Sequence, residues 1–481
     1  MRLTPFKPTP LRIPAFLFTL AAAGHLCAAD IYMTPAGAGS KDGSTWENAK
    51  AATPESFQAG WDALTPGDTF HVGSGNYPAL GIKAAKGGAE GKPVRLIGED
   101  RGSGLPLFTS DFDKHKGGAT FFASKEGVSN FEISGFHLKA YQRGVFIRGK
   151  SANIKISNMN IEGALEGIRS DGGAEVDKPD LATHNVTVAD CTFNKFVKRA
   201  IRLQGGNYNW RMDRCWADAG GKEWGTQNFP IAYQISVRPF KPKDGAAPDA
   251  PAADEAGDAG EPGARAGKEF AIHSGTEIYA MEHDIEMVDC LAMNCYYEGT
   301  KGKSSRYWNG DGFCAERGSK NLKFVRCVSM HNTDGGWDLK TESPEFIDCI
   351  SIDNKDNFRL WDGTPTLTNC VSAYAFKRGG SGPTSGIWTV TNVELEHCTM
   401  INNSFVIDTG HAKGPVSITF KDSIFVGPNP GGQVKMVNSV VAASIEQAKL
   451  NAPKTVEVKP GTAFDTAAYP DKGYSSARRQ K

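Results

Sequence analysis

The chain has 481 residues, 40% of them hydrophobic, and its 54 lysines and arginines are balanced by 54 aspartates and glutamates. This balance gives no basic face of the kind that nucleic-acid phosphates require, so a nucleic-acid partner is not expected. The 55 glycines are typical of a globular chain with many tight turns.

Residues 1–29 have the pattern of a signal peptide. Arg2, Lys7 and Arg12 precede the apolar run "IPAFLFTLAAAGHL", and "CAAD" offers a small-residue cleavage site after Ala29. The run is shorter than a membrane span needs, and no later segment is long and apolar enough either. We therefore predict a secreted or periplasmic protein without a membrane partner.

Residues 30–120 are predicted to form an amino-terminal cap and the first rungs of a repetitive structure. The segment "TPESFQAGWDAL" (53–64) begins with Thr53 as a helix N-cap and Pro54 at the first helical position. Its apolar residues fall on one helical face. Such a helix would cover the open edge of a first rung, which would otherwise invite aggregation.

Residues 121–445 contain ten copies of one short pattern, in which alternating apolar residues precede a polar residue and then Cys or a substitute. The copies are "NFEISGF" (130–136), "NIKISNM" (153–159), "VTVADC" (186–191), "WRMDRC" (210–215), "IEMVDC" (285–290), "LKFVRC" (322–327), "EFIDC" (345–349), "TLTNC" (366–370), "VELEHC" (393–398) and "ITFKDS" (418–423). Their period-two alternation indicates strands. A single strand cannot bury its apolar face alone, so the copies must stack on one another.

These repeats predict an all-β chain, folded as a single-stranded right-handed parallel β-helix of about ten rungs with a small amino-terminal cap. A leucine-rich repeat would need spaced leucines and a helix, and a propeller blade would need about forty residues. The repeated cysteines are predicted to be free thiols stacked in one buried column. Asn332, Asn354 and Asn403 each follow a repeat's cysteine by five residues, which predicts a stacked asparagine turn.

Two segments lie outside the repeat pattern. The low-complexity stretch within about 238–267 offers little apolar surface and is predicted to be a disordered insertion. Residues 446–481 are predicted to form a carboxy-terminal tail that runs over the last rung.

A second strand in each rung has its own alternation. Predicted inward residues are Val145, Ile168, Ile201, Phe313, Trp337, Phe358 and Phe405, and predicted outward residues are Phe146, Arg169, Arg202, Cys314, Asp338, Arg359 and Val406. Stacked strands lie about 4.8 Å apart, so Asp338 and Arg359 should be neighbours, with Asp311 and Asp334 in the turns before their strands. This charged column is either a binding site or a ladder of solvated salt bridges.

Three segments between residues 309 and 361, "NGDGFCAERG", "VRCVSMHNTDGGWDLK" and "IDNKDNFRLW", resemble the core of the family 9 polysaccharide lyases, calcium-dependent pectate lyases of right-handed β-helix fold. The resemblance implies that Asp311, Asp334 and Asp338 bind Ca²⁺. Gly335 stands where that family has a further aspartate. Calcium would neutralise a uronate carboxylate beside the proton that is removed.

The resemblance also implies a base for that proton. Arg359 matches the position of the family's base, and Lys340, outward-facing one rung earlier, is the reserve candidate. Arg169 and Arg202 are either subsite cations for an acidic polymer or ordinary surface charge. Trp361, two positions beyond Arg359 on the outward face, is predicted to contact substrate with them.

The function predicted on this basis is calcium-assisted β-elimination of an acidic, uronate-containing polysaccharide such as pectate, by a secreted polysaccharide lyase that is a monomer. Two alternatives remain open. The segment "NTDG" (332–335) also resembles one element of the family 28 polygalacturonases, which would imply hydrolysis. The third possibility is a non-catalytic carbohydrate-binding or surface β-helix protein.

Overall fold

The computed structural model describes residues 30–113, 117–173, 181–222, 230–236, 238–239, 279–280, 282–298, 308–401, 405–427, 433–450, 464 and 471–478. The predicted signal peptide lies outside these ranges, and so does the predicted insertion apart from Arg238 and Pro239. In the described part of the chain, no helix is long and apolar enough to cross a membrane.

The chain winds through three columns of parallel strands, and one circuit of the chain through the columns is a rung. Column 1 consists of Ile31–Thr34, Thr69–Gly73, Val94–Glu99, Phe131–Lys139, Ala152–Glu162, His184–Ala189, Tyr208–Asp213, His283–Val288, Lys320–Val325, Glu345–Ile347, Thr366–Thr368, Val393–Glu396, Ile418–Lys421 and Val434–Val437. Each of the ten sequence repeats forms one of these strands. The predicted all-β parallel β-helix is therefore confirmed.

The stack of column 1 strands is longer than the repeats indicate. In the described ranges it has fourteen strands, because three strands precede the first repeat and Val434–Val437 follows the last one.

Columns 2 and 3 complete each rung. Column 2 contains Asn76–Tyr77, Leu107–Thr109, the second halves of Phe131–Lys139 and Ala152–Glu162, Thr192–Asn194, Trp216–Asp218, Leu291–Met293, Val328–Met330, Ile350–Ile352, Val371–Ala373, Thr399–Ile401, Ile424–Val426 and Val440–Ala442. Column 3 contains Ile82–Ala84, Thr120–Ser124, Arg143–Arg148, Glu166–Asp171, Arg199–Gln204, Ile231–Ser236, Asp311–Ala315, Gly335–Glu342, Asp356–Asp362, Ser385–Thr389 and Phe405–Asp408. The predicted second strands all lie in column 3.

The cap helix forms as predicted. It spans Pro54–Ala63, and a capping box joins Thr53 and Ser56, whose side chains each accept a hydrogen bond from the other residue's backbone N–H. Phe57 and Trp61 on its inner face are fully buried. Short elements elsewhere are the strand Lys50–Ala51 beside column 1, the 3₁₀ turns Trp46–Asn48 and Ser476–Arg478, and the antiparallel pair Arg238–Pro239 with Tyr279–Ala280.

The interior is built from ladders of like side chains. The nine cysteines of the described ranges are all buried and free, and thiols of column 1 donate to carbonyls of the preceding rung, as Cys327 does to Met287 at 3.3 Å and Cys349 to Phe324 at 3.4 Å. This confirms the predicted thiol column. Asn332 Nδ2 donates to Asn354 Oδ1 at 2.9 Å, as the asparagine turn predicts. Asn403 lies outside the described residues.

The tail contacts several rungs. Tyr474 N donates to Thr399 Oγ1 at 2.9 Å, and Ser475 N donates to Asn369 Oδ1 at 2.7 Å. Asn369 lies in the turn between columns 1 and 2, and Thr399 begins a strand of column 2. Lys472 Nζ also donates to Asn438 Oδ1 at 2.8 Å, beside the last rung. The described tail residues therefore contact the side of the helix as well as its last rung.

Candidate active site on column 3

Three consecutive strands of column 3 bring the predicted site residues together. Phe313, Trp337 and Phe358 are paired in register and point inward, where their rings stack at centroid distances of 4.9 Å. The alternation therefore places Cys314, Asp338 and Arg359 outward in one line, as predicted. Arg359 Nη1 donates to Asp338 Oδ2 at 3.4 Å.

The outward residues are covered to a greater extent than a solvated ladder would be. Only 4% of Asp338 and 8% of Arg359 is exposed. Arg359 lies between two indoles, 4.8 Å from the ring centroid of Trp361 and 5.0 Å from that of Trp388. Trp361 Nε1 donates to Asp338 Oδ1 at 2.6 Å. Mutual packing thus buries the charges, and the cluster is not a surface salt-bridge ladder.

Asp334 lies in the turn before its strand and is fully buried. Its backbone N–H donates to Gly310 O, and its carbonyl accepts from Asp356 N, so both neighbouring rungs hold the turn in place. Lys355 Nζ donates to Asp334 Oδ1 at 2.9 Å, and Arg359 Nη1 donates to Asp334 Oδ2 at 3.3 Å. Both oxygens of this carboxylate therefore face cations.

Asp311 lies on the rung before, directly beneath Gly335. Gly335 N donates to Asp311 Oδ1 at 2.7 Å. Burial and the nearby carboxylates of Asp334 and Asp338 raise the pKa of Asp311 well above its ordinary value. A Cβ on Gly335 would lie 3.0 Å from Asp311 Oδ1 and 3.2 Å from Asp338 Cβ. An aspartate at position 335 would therefore need a displacement of Asp311.

Lys355 and Asp356 belong to the same cluster and were not predicted. Lys355 Nζ lies 3.8 Å from Asp356 Oδ2, and Ser385 Oγ donates to Asp356 Oδ1 at 2.6 Å. Burial raises the pKa of Asp356 to about 6. Burial acts to lower the pKa of Lys355, but Asp334 and Asp356 outweigh it, so this pKa is raised. The signal available in the sequence was "NKDN", a lysine–aspartate pair one rung after Asp334.

Lys340 lies at the edge of the cluster. Its Nζ is 3.2 Å from Glu316 Oε2 and 3.8 Å from Asp338 Oδ2, and it stands 5.6 Å from the ring centroid of Trp361. One carboxylate oxygen of Asp311, the thiol of Cys314 and one carboxylate oxygen of Asp338 all lie within 4.8 Å of one another.

Arg169 and Arg202 form a separate cluster on the same outward line, several rungs away. Both pair with Glu166, at 3.5 Å from Arg169 Nη1 and 3.6 Å from Arg202 Nη1, and Arg143 Nε donates to the same carboxylate at 2.8 Å. On successive strands, Arg202 is paired with Gln234, Gln234 with Cys314, and Cys314 with Asp338. The two clusters are therefore about three strand spacings, or roughly 14 Å, apart.

The donor set does not fit the predicted calcium ion. Both oxygens of Asp334, both of Asp338 and one of Asp311 accept hydrogen bonds from groups of the chain, whereas calcium takes six to eight oxygen ligands. The thiol of Cys314 is a soft ligand that calcium does not favour. Asp311, Asp334 and Asp338 do lie together, and their hydrogen-bond donors are Lys355, Arg359, the Trp361 indole and the Gly335 backbone.

Known proteins resemble this chain only distantly. No protein-family model matches it. Pectate lyase L of Thermoclostridium stercorarium is 36% identical over 99 residues, which are 16% of this chain and 8% of that protein. The chain therefore spans less than a tenth of the curated relative it matches.

Solved structures match over most of the chain. A lacto-N-biosidase from Eubacterium ramulus has a TM-score of 0.52 at 11% identity, covering 85% of this chain and 68% of its own. A mannuronic acid specific family 6 polysaccharide lyase from human gut microbiota has a TM-score of 0.46 at 11% identity, with coverage of 87% and 89%. Pectate lyase Pel9A has a TM-score of 0.40 at 12% identity, with coverage of 94% and 90%. At these identities the likeness concerns the fold alone.

Proposed function

We propose that this protein is a carbohydrate-active enzyme that binds an acidic, uronate-containing polysaccharide along column 3 and cleaves it by β-elimination. The observation that carries the proposal is the packed cluster of Asp338, Arg359 and Lys340 beside Trp361, on one outward face with the arginines of Glu166's cluster. The local match to pectate lyase L is in keeping with it.

The roles follow from the charges of the side chains. The resemblance implies that Arg359 is the base, but Asp334 and Asp338 both accept hydrogen bonds from its guanidinium, and a guanidinium so paired stays protonated. We therefore assign Arg359 the neutralisation of the substrate's carboxylate. Lys340, whose Nζ is 3.2 Å from Glu316 Oε2 and 3.8 Å from Asp338 Oδ2, is assigned the role of base, because an ammonium, unlike a guanidinium, can lose its proton at alkaline pH.

The chemical step needs only groups in this cluster. The unprotonated amine of Lys340 removes the proton on C5 of the uronate, next to its carboxylate. The electron pair of that C–H bond forms the C4–C5 double bond, and the C4–O glycosidic bond breaks. The leaving oxygen takes a proton from water or from the ammonium of Lys340, so atoms and charge balance. Because the amine must be unprotonated, the rate should rise with pH.

Hydrolysis is a second candidate function, favoured by the spacing of Asp311 and Asp338. One carboxylate oxygen of each lies no more than 4.8 Å from one of the other, so the pair is near enough for retaining glycosidases, whose two carboxyl groups lie about 5–5.5 Å apart. In that chemistry one carboxyl group protonates the leaving oxygen and the other attacks the sugar. The product would be a saturated reducing sugar.

The test is an assay on a panel of uronic-acid polymers that records ultraviolet absorbance of the unsaturated product and reducing ends in parallel. We expect both signals from the wild type, and loss of both by about 10²-fold or more in Lys340→Met, as for removal of a general base. Lys323→Met is the control, because Lys323 pairs with Glu345 at 3.3 Å on column 1. Reducing ends without absorbance would indicate hydrolysis instead. Polymer binding without either signal would indicate a non-catalytic protein.

A further inference from the structure

Lys355 is a lysine in an unusual place, at the centre of a group of buried carboxylates. Only 7% of it is exposed. Its Nζ is 2.9 Å from Asp334 Oδ1 and 3.8 Å from Asp356 Oδ2. Transfer of an ammonium out of water costs several kcal/mol unless close partners compensate, so these two contacts hold it there.

The backbone fixes this placement. Asp356 N donates to Asp334 O, and Ser385 N donates to Lys355 O at 3.1 Å, so the turn that carries Lys355 is bonded to the rungs on both sides. The ammonium is therefore delivered to Asp334 by the stacking of the rungs. The position of the Lys355 ammonium is therefore set by a backbone that both neighbouring rungs hold in place.

The formal charges show what removal of Lys355 would change. The cluster has five carboxylates and three cations: Asp311, Asp334, Asp338, Asp356 and Glu316, with Lys340, Lys355 and Arg359. The net formal charge is therefore at most two negative charges. Removal of Lys355 would add one negative charge and withdraw the cation from Asp334 Oδ1 and Asp356 Oδ2, two oxygens of the kind that a divalent cation binds.

We propose that the ammonium of Lys355 supplies the positive charge that a divalent cation would otherwise bring to this cluster, so that the wild-type site takes no calcium. Lys355 is then a positioning residue: it holds Asp334, and Asp334 holds Arg359. The inference about cation binding stands apart from the proposed function. Its corollary, that cleavage needs no calcium, rests on that function.

The experiment compares calcium binding by the wild type, Lys355→Ala and the control Lys323→Ala. Calorimetric titration with CaCl₂ and thermal unfolding in CaCl₂ or EDTA measure binding without any assay of activity. We expect no saturable calcium binding and less than ~1 °C difference in Tm for the wild type and the control. Lys355→Ala should melt lower in EDTA and gain about 3 °C or more in CaCl₂, because a ligand that binds only the folded state stabilises it.

Two results would overturn the inference. One is saturable calcium uptake by the wild type with a Kd below ~1 mM, which is a stabilising affinity at millimolar calcium. The other is a folded Lys355→Ala that gains nothing in calcium. Should Lys355→Ala not fold, Lys355→Gln keeps the length of the side chain without its charge and takes its place. A protein that binds no calcium and has no lyase activity would refute the proposed function and leave this inference standing.

Discussion

Column 3 carries two clusters of buried charged side chains. One has more cations than carboxylates, and the other has more carboxylates than cations. In the arginine cluster, Glu166 faces Arg143, Arg169 and Arg202, and Asp171 pairs with Arg169 alone, at 3.0 Å. In the aspartate cluster, several carboxylates share fewer cations, and Arg359 donates to two of them. The strands that carry the two clusters are in continuous register.

The pKa values of the carboxylates shift in opposite directions in the two clusters. Burial acts to raise the pKa of Glu166, but Arg169 and Arg143 outweigh it and the pKa is lowered. Burial also raises the pKa of Asp311, and there the neighbouring carboxylates of Asp334 and Asp338 add to it. On the same column, burial beside arginines thus goes with a lowered carboxylate pKa, and burial beside carboxylates with a raised one. We expect the arginine cluster to bind anions and the aspartate cluster to carry out the proposed chemistry.

The largest expected effect on activity tests the aspartate cluster as the place of chemistry. Arg359→Ala should lower kcat for polymer cleavage by about 10²–10³-fold, the loss typical of one group that stabilises transition-state charge. Polymer binding should change by only a few-fold, because removal of the C5 proton adds negative charge to the carboxylate, and Arg359 stabilises this added charge only in the transition state. Cleavage assays and co-sedimentation with polymer measure the two effects.

Arg326→Ala is the matched control for Arg359→Ala. Arg326 makes a paired contact with Asp289 at 2.8 and 2.7 Å on column 1, and its loss should leave kcat unchanged. Arg359→Lys separates folding from chemistry, since it keeps a cation between Asp334 and Asp338. Full activity in Arg359→Ala would mean that the aspartate cluster is not the place of chemistry.

The second effect tests the arginine cluster as an electrostatically balanced unit. Glu166→Gln leaves the three arginines without their common carboxylate, and we expect a loss of about 3 kcal/mol in the free energy of unfolding at pH 7. The folded-state pKa of Glu166 is lowered, so its contribution is present above its unfolded pKa of about 4.3 and is lost as pH falls through the folded value. The free energies of unfolding of the wild type and Glu166→Gln, measured with denaturant, should therefore converge at acid pH. A constant difference at all pH values would show that shape, not charge, stabilises this cluster.

How much of this was predictable depends on whether a residue lies in a strand or in a turn. Alternation within the strands predicted that Trp337 and Phe358 point inward, and the strand spacing predicted the contact between Asp338 and Arg359. Lys355 was missed because it lies in the turn before its strand, where the direction of a side chain depends on bonds between rungs. Glu166 was missed for another reason: its strand, Glu166–Asp171, begins one residue before the alternating pattern by which the strand was predicted.

The calcium prediction shows a limit of motif resemblance. Asp311, Asp334 and Asp338 do converge, as the resemblance requires. Whether converging carboxylates bind a metal depends on every other charge nearby, and the ammonium of Lys355 comes from a position that the motif does not specify. The contact of Gly335 with Asp311 is likewise visible only when the rungs are stacked.

The third effect concerns Glu282, a buried carboxylate that accepts a hydrogen bond from a backbone N–H, in contrast to Glu166 with its arginines. Glu282 is fully buried, Gly206 N donates to its Oε1 at 2.9 Å, and burial raises its pKa to about 8. Between about pH 4.3 and pH 8 the folded state holds a proton that the unfolded state has lost, so the free energy of unfolding falls as pH rises. Glu282→Gln should remove this penalty and stabilise the protein by up to about 5 kcal/mol at pH 8, because each unit between the folded and unfolded pKa contributes about 1.4 kcal/mol.

The test is to measure how the difference in free energy of unfolding between Glu282→Gln and the wild type depends on pH. The variant and the wild type should unfold alike near pH 4 and diverge above it, in the opposite sense to Glu166→Gln. Lower stability of Glu282→Gln at pH 8 would mean that the carboxylate is charged and compensated in the folded protein.

The smallest effect tests whether the two clusters bind one polymer. Arg169 lies four strand spacings from Asp338 along the register, which is roughly 19 Å. Arg169→Ala should raise KM for a long polymer by about tenfold, as for loss of one charge-assisted contact. It should leave kcat unchanged, because a contact made equally in ground and transition states affects binding alone.

Oligomers too short to span the two clusters should not respond to the substitution, and the effect on long polymer should shrink in high salt. Arg214→Ala is the control, since Arg214 pairs with Asp190 on the exposed face of column 1. A fall in kcat, or an equal loss with short oligomers, would mean that Arg169 acts on the stability of the aspartate cluster and that the polymer does not extend across both.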